Sequence, residues 1–415
     1  MKNHLVVIGL HWPEPESTAA GLRMLQLLEL FQSLDYEITF LSAAPTTAHS
    51  YDLNNMGIQT QSISLNDAGF DTIITELQPQ IVLYDRFIAE EQFGWRVHAC
   101  VPEALTILDT EDLHCLRKAR QQFDVSDPTF TAQLKDSDTA KRELASIYRC
   151  DVSLIISEFE MELLQTVFQV PEALLCYLPF LVDFVDTKTI AFNAIPSFAS
   201  RQHFMTVGNF KHAPNYDAVL YLKETLWPGI RAQNPKSELH IYGAYTPDKV
   251  KQLHNPKHGF IIKGFTPDID TTMQHYRLCL AALRFGAGLK GKLLKAMQNG
   301  LPCVMTTLGA EGMFGDLPPN GCIAESSHDF ISGAVNLYEN EAAWTVAQRS
   351  GYELVNSRFN VATFRPIIKK LIKTMRSNLK GHRTQNFIGS LLHHHQHQST
   401  KYLSKWIAAK NQHNK

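Results

Sequence analysis

The chain alternates two kinds of hydrophobic pattern. Leu5-Val-Val-Ile-Gly9 is a short apolar run of strand type. Past a loop rich in Pro and Glu, Ala19 to Ser33 has helical spacing, with Leu22, Leu25, Leu28 and Leu30 on one side. Ile38-Thr-Phe-Leu41 predicts a second strand. A helical pattern precedes Ile81-Val-Leu-Tyr84, and the runs Leu105-Thr-Ile-Leu108 and Val152 to Ile156 follow. Short, fully apolar strands alternating with helices predict a parallel sheet covered on both faces.

Asp183 to Ser200 has no clear period and contains Pro196, so the domain boundary is placed there. The alternation then restarts. Phe204-Met-Thr-Val207 ends in Gly208, and Leu239-His-Ile-Tyr242 also ends in Gly. Phe260-Ile-Ile262, Cys279 to Leu283 and Leu301 to Met305 complete the series. The predicted organisation is a first domain over 1–183, a second over 201–375, and a basic, helical tail over 376–415 that crosses back to the first domain. A length of 415 residues agrees with two domains.

Composition changes this picture little. Hydrophobic residues make up 44% and charged residues 19%, ordinary for a globular chain. No apolar run approaches the ~20 residues that span a bilayer. The N-terminal run reads as a buried strand rather than a signal peptide. The seven cysteines (Cys100, Cys115, Cys150, Cys176, Cys279, Cys303 and Cys322) form no C-x-x-C pair, so neither a zinc site nor a disulfide framework is indicated, and a reducing cytosol fits.

Charge is distributed unevenly. From Arg365 to Lys415 there are 11 Lys and Arg and no acid, which leaves 28 basic against 41 acidic residues elsewhere, a net of −13. Ile367, Ile368, Leu371, Ile372 and Met375 share a face beside Lys369, Lys370, Lys373 and Arg376. Tyr402, Leu403, Trp406 and Ile407 repeat the pattern with Lys401, Lys405 and Lys410. Such a tail packs on the acidic body or contacts an anionic membrane or glycan. No motif supports nucleic-acid binding. The tract His393-His-His-Gln-His397 is either a metal-binding stretch or an inert surface segment.

The chemistry concentrates in residues 279–312, CLAALRFGAGLKGKLLKAMQNGLPCVMTTLGAEG. The layout is strand, glycine loop, helix, Gly300, strand. Gly286, Gly288 and Gly291 permit a tight turn and a close backbone approach. A helix starting near Lys290 offers unpaired N–H groups and a positive dipole end, which is an anion site. From Thr271 to Ala310 there are five basic residues (Arg277, Arg284, Lys290, Lys292 and Lys295) and no acid. Lys292 and Lys295 share a helix face and repel unless an anion or solvent intervenes. The alternative is a solvated basic face. The segment is neither a Walker loop nor the dinucleotide fingerprint.

This segment resembles the donor-binding signature of the retaining GT-B glycosyltransferases called family 4, glycosyl transferases group 1. The match runs Arg284, Gly286-Ala-Gly288, Lys290, Lys292, Lys295-Ala296, Gly300, Pro302, Val304, Thr306 and Gly309-Ala-Glu-Gly312. Val207-Gly-Asn-Phe210 with Pro214-Asn-Tyr-Asp217 is similar to the opening of that family's donor domain. Lys263-Gly-Phe265 with Asp268 is similar to the turn before its base-binding region. Ser157-Glu158 and Pro179 to Asp183 resemble the end of its first half.

The resemblance implies an α/β GT-B fold, two Rossmann-like doubly wound parallel-sheet domains facing a central cleft. It implies that Gly208, Asn209, Arg284, Gly286, Gly288, Lys290, Lys292, Lys295 and Glu311 face the donor. Arg284 and a lysine, Lys290 or Lys292, would hold the diphosphate and stabilise the leaving nucleotide, with Arg284 and Lys292 as the candidate catalytic pair. One departure stands out: the family's ribose-binding Glu is Lys295 here, and a lysine only donates. Either the ribose is held elsewhere, or donor affinity is reduced, or activity is lost. Glu311 is the candidate substitute.

In the first half, the loop from Trp12 to Arg23 with Gly21 resembles the acceptor-facing loop. Asp85 and Asp109 end strands, where ligands of open α/β sheets bind. Asp109 or Thr110 alternatively caps the next helix. His114 is a candidate catalytic contact to the donor sugar or the acceptor. The expected activity is retaining transfer of a hexosyl-type sugar from a nucleotide-sugar to a glycan, lipid-linked or other surface-polysaccharide acceptor. No metal and no cofactor are expected. The expected location is cytoplasmic, with possible peripheral contact at the inner membrane face. A nucleotide-sugar epimerase and a non-catalytic sugar-nucleotide or glycan-binding partner are the alternatives.

Overall fold

The computed structural model describes residues 3–186, 196–394, 406, 407 and 410. The first domain contains a seven-stranded parallel sheet. Its strands are β1 (Asn3–Gly9), β2 (Tyr36–Ser42), β3 (Gln59–Ser62), β4 (Ile81–Asp85), β5 (Leu105–Asp109), β6 (Val152–Ile155) and β7 (Leu175–Tyr177). Their spatial order is β3-β2-β1-β4-β5-β6-β7. The second domain holds β8 (Gln202–Val207), β9 (Leu239–Tyr242), β10 (Phe260–Gly264), β11 (Tyr276–Ala281), β12 (Cys303–Thr306) and β13 (Gly321–Ala324), ordered β10-β9-β8-β11-β12-β13. Both sheets are doubly wound. The strand order reverses between β1 and β4 in one and between β8 and β11 in the other.

The strands are apolar throughout because both faces are covered. Val6, Ile8, Val82, Tyr84 and Leu108 enter one core of the first domain, while Leu5, Val7, Ile81, Leu83 and Ile107 enter the core on the opposite face. The second domain divides in the same way. Phe204, Leu278, Leu280 and Val304 pack on one side, and Met205, Cys279, Ala281, Cys303 and Met305 on the other. The seven cysteines are free.

Three strands carry no apolar signal strong enough to be read from sequence. β3 is Gln-Thr-Gln-Ser and fully exposed along an edge of its sheet. β7 has three residues, and β13 is a polar-flanked edge strand. Edge strands need only one neighbour's backbone, so pairing rather than burial defines them.

The chain crosses between domains twice. Val182 pairs with Asn360, and Val182 N donates to Phe359 O at 2.8 Å. Helix Val361–Ser377 then lies on the first domain, although the sequence pattern attached residues up to 375 to the second. Its Phe364, Ile368, Ile372 and Met375, followed by Leu379, join the core that contains Leu5 and Leu27. Beyond it, Arg383 binds Asp151 through Nε–Oδ1 and Nη2–Oδ2 at 2.7 and 2.8 Å. Asn386 Nδ2 donates to Tyr148 O at 2.7 Å. Of the second basic stretch, Trp406 and Ile407 are exposed, while Lys401, Tyr402, Leu403 and Lys405 lie outside the described residues, as do His395 to His397. Among the described residues no helix is long and apolar enough to cross a membrane.

Ile368 is 2% exposed, in a core whose other members come mostly from the first domain. Ile368→Ala should therefore lower the first domain's stability by about 2–5 kcal/mol, read as a shift of its urea midpoint. An unchanged midpoint would show that this helix does not anchor there.

Candidate active site

The carboxyl ends of the two sheets face each other across a cleft of about 700 Å³. Loops that follow the strands flanking each order reversal supply the walls, the position where open α/β sheets bind ligands. The first domain contributes His11 to Thr18 after β1, Asp85-Arg86 after β4 and residues after β5. The second contributes Val207 to Asn215 after β8 and the glycine loop after β11.

The domains approach so closely that side chains are excluded at two points. A Cβ on Gly288, whose φ is +64°, would lie 2.8 Å from Asp112 Cβ. A Cβ on Gly291 would lie 2.8 Å from Ala19 Cβ. Polar bonds fix the same contact. Glu160 Oε1 accepts from Leu113 N at 3.0 Å and from Gly288 N at 2.8 Å, so one carboxyl oxygen holds a loop from each domain. Arg120 donates to Gly286 O at 2.9 Å and to both oxygens of Glu311 at 2.8 and 2.7 Å. At the mouth, Tyr245 OH donates to Glu14 Oε1 at 2.8 Å, and Asn209 Nδ2 donates to Ser17 Oγ at 3.0 Å.

The helix Gly291–Gln298 starts at the cleft and no side chain caps it. Its leading N–H groups and dipole face the cavity. Lys290 is buried, and its Nζ donates to Gly288 O at 2.5 Å. Lys292 Nζ donates to Asn215 Oδ1 at 2.9 Å. Burial lowers both ammonium pKa values, that of Lys292 to about 8. His212 stands nearby, and burial followed by the Arg117 charge lowers it to about 4, so it is neutral at pH 7.

On the opposing wall, Asp112 holds Arg117 at 2.9 Å and lies 3.4 Å from His114 Nε2. Burial lowers His114 to about 4, so this imidazole is also neutral at pH 7. Its ring sits edge-on to Phe87, 5.4 Å between centroids. The helix it begins, His114–Gln122, is capped by Glu143, whose two oxygens accept from His114 N and Cys115 N at 2.9 Å each. Asp85 accepts from Leu10 N at 3.0 Å and from Arg86 Nε and Nη2 at 2.9 and 2.8 Å.

Of the residues singled out in the sequence, Gly21, Asp85, His114, Gly208, Asn209, Gly286, Gly288, Lys290, Lys292 and Lys295 line the cleft. Gly21 lies where the Glu14 backbone passes over the first helix. Three residues do not reach the cavity. Arg284 is 52% exposed along its side chain and turns outward to Asp217, with Nε–Oδ2 at 2.9 Å. Asp109 is fully buried beneath the floor, where Arg23 binds it through Nε and Nη2 at 2.9 and 2.8 Å. Glu311 is held in the Arg120 fork, away from the residues that line the cleft. Lys295 is paired with Asp270 at 2.7 Å, with Glu16 facing it from the first domain.

Arg86 and Glu111, which the strand-end rule reaches in the sequence, line the cleft, and so do Lys211 and His212, which sequence reasoning passed over. Lys211 and His212 follow Gly208-Asn209-Phe210 in the loop after β8, so the rule that assigns strand-end loops to the cleft reaches them. Glu160 and Arg120 carried no signal, being 128 and 191 residues from the loop residues they bind.

Residues 201–340 match a family model described as glycosyl transferases group 1. No curated protein matched the chain. Among solved structures, sucrose-phosphate synthase from Thermosynechococcus elongatus superposes with a TM-score of 0.65 at 12% identity, covering 91% of this chain and 100% of that one. TarM from S. aureus, in a complex with fondaparinux, alpha-GlcNAc-glycerol and UDP, gives 0.67 at 10% identity, over 90% and 100% of the two chains. HepE from Anabaena, in complex with UDP and glucose, gives 0.65 at 14% identity, over 89% and 99%. The fold is GT-B.

Gly288→Ala should force these two walls apart, since its Cβ meets Asp112 at 2.8 Å and its φ is positive. The expected outcome is a larger radius of gyration in X-ray scattering and a melting point lowered by several degrees, an effect of about 1–3 kcal/mol. Scattering identical to the wild type would show that the loops part without cost.

Proposed function

We propose that this protein is a glycosyltransferase that binds a nucleoside diphosphate-sugar at the glycine-loop helix and transfers the sugar to a hydroxyl of a glycan or lipid-linked acceptor. One observation carries the reading. An uncapped helix N-terminus, the buried Lys290 and the partly buried Lys292 meet at a cleft between two doubly wound domains. A diphosphate satisfies the helix N–H groups and the ammonium groups together. Breaking the bond from sugar to phosphate leaves negative charge on the diphosphate, and cations fixed before the reaction stabilise it without reorganising.

The sugar then extends toward the first domain, where neutral His114 accepts or donates a hydrogen bond without adding charge. Lys211 and His212 line the cleft that Arg284 does not reach, and they join Lys292 as candidate donor contacts. Transfer with retention and a hexosyl-type sugar remain part of this proposal. So does a surface-polysaccharide acceptor. The fold and family match support glycosyl transfer, and the UDP named with TarM and HepE makes UDP the first nucleotide to try. A non-catalytic binding partner is favoured by Lys295 alone, whose ammonium is already neutralised by Asp270.

A radiolabelled panel of nucleotide-sugars tests transfer. Lys292→Ala should lower kcat/KM by about 100- to 1000-fold, while Arg284→Ala should leave it near the wild-type value. Full activity in Lys292→Ala would remove the lysine from the site. Binding without product in the wild type would favour the partner reading.

Lys292 also sets a pH dependence. Its free ammonium titrates at about 8 because of burial, so it is charged below that pH and neutral above it. UDP affinity, measured by calorimetry, should therefore fall by up to about tenfold between pH 7 and 9. Lys292→Met should flatten the profile, and an unchanged slope in that variant would assign the titration to another group.

A further inference from the structure

One carboxyl on the cleft wall is used by none of this chemistry. Glu111 follows the end of β5, lines the cleft and is 8% exposed. Its backbone φ is +62°, in the left-handed region that L side chains rarely adopt. Its Oε1 is enclosed and has no hydrogen-bond partner among the described residues. A buried carboxyl oxygen without a donor is uncommon in a folded protein.

The neighbouring groups do not repair this. Asp109 and Asp85 face Glu111 with like charge, and the favourable charges are Arg23 and Arg86. Both guanidinium groups are committed. Arg23 binds Asp109 and the carbonyls of Leu178 and Pro179, and Arg86 binds Asp85. Burial first, then the Asp109 charge, holds the Glu111 carboxyl well above the usual range.

The strain has a matching neighbour. Asp85 and Asp109 are register partners at the ends of β4 and β5, and Arg86, just past the first, has φ +67°. Two adjacent strand ends on one rim thus hold side chains in costly backbone conformations. Strain and an unpaired buried oxygen at one residue persist when something outside the fold repays them. This rim and the start of the glycine-loop helix line the same cleft.

We propose that Glu111 is a substrate-contacting residue whose carboxyl hydrogen-bonds a sugar hydroxyl in the cleft. This rests on the glycosyl-transfer reading. A sugar hydroxyl supplies a hydrogen-bond donor of the kind this carboxyl lacks within the fold. The hydroxyl belongs either to the transferred sugar or to the acceptor glycan.

The test has one arm without ligand and one with it. Glu111→Gly relieves the positive φ and removes the unpaired oxygen, so the ligand-free protein should melt about 2 °C higher or more. A lower melting point would show that Glu111 holds the fold and would overturn the proposal. With the donor used by the wild type, Glu111→Gly should lose about 100-fold or more in kcat/KM, while UDP binding stays unchanged because UDP lacks the sugar. Glu111→Gln should restore part of the loss. Wild-type turnover in Glu111→Gly would overturn the proposal and leave the transferase reading standing. A wild-type protein inert to every nucleotide-sugar would overturn the transferase reading, and the melting comparison would still decide whether Glu111 serves the fold. Loss of donor hydrolysis measured without acceptor assigns the contact to the transferred sugar. Loss confined to transfer assigns it to the acceptor.

Discussion

The two domains are joined at a contact too tight for side chains. Gly288 lies against Asp112 and Gly291 against Ala19, each with room for hydrogen only. Glu160 completes this contact by accepting N–H groups from Leu113 and Gly288 on one oxygen. The cleft geometry follows from it. The helix that presents Lys292 and the loop that presents His114 are held in one spatial relation because the same carboxyl binds the backbone beside each. Burial raises Glu160 to about 8, so this tie is made by a group that keeps its proton at neutral pH and brings no net charge into the interface.

That economy of charge extends through the site. His114 and His212 are both held neutral by burial, and the acids Asp85, Asp109 and Glu311 are each covered by an arginine. What is left facing the cavity is positive on the second domain's side, where Lys290, Lys292 and the helix end meet. The proposed diphosphate donor would find cations along one wall and, along the other, the neutral His114 among the charged residues Glu14, Glu16, Arg86 and Arg117. The buried pair Arg23–Asp109 supports the floor between them. Its guanidinium also donates to the carbonyls of Leu178 and Pro179, tying β5 to the segment that leaves the first domain.

The closing helices make the domains interdependent in another way. Helix Val361–Ser377 leaves the second domain at Asn360 and buries its apolar stripe in the first domain's core. Arg383 then covers Asp151, a carboxylate that also accepts from Thr106 N at 2.8 Å. A boundary drawn on sequence alone cuts through this helix, because its amphipathic period says that it packs but not on what.

Much of the architecture was readable along the chain. The apolar runs, their alternation with helices and the glycine loop before Lys290 are local features, and local features set by periodicity and backbone freedom can be read without partners. Lys290 and Lys292 belong to that class, because a helix start fixes which way its first residues face. Arg284 does not. It lies in the same motif, yet its direction is decided by Asp217, on a helix 67 residues away in sequence. Glu311 was drawn off by Arg120, and Asp109 by Arg23. The sequence by itself determined two doubly wound domains and a glycine loop that leads into a basic helix start. Only the tertiary structure decided which ionisable side chains remain free to meet a ligand, because each charge turns to the nearest opposite charge in space, and that neighbour is chosen by packing rather than by position along the chain.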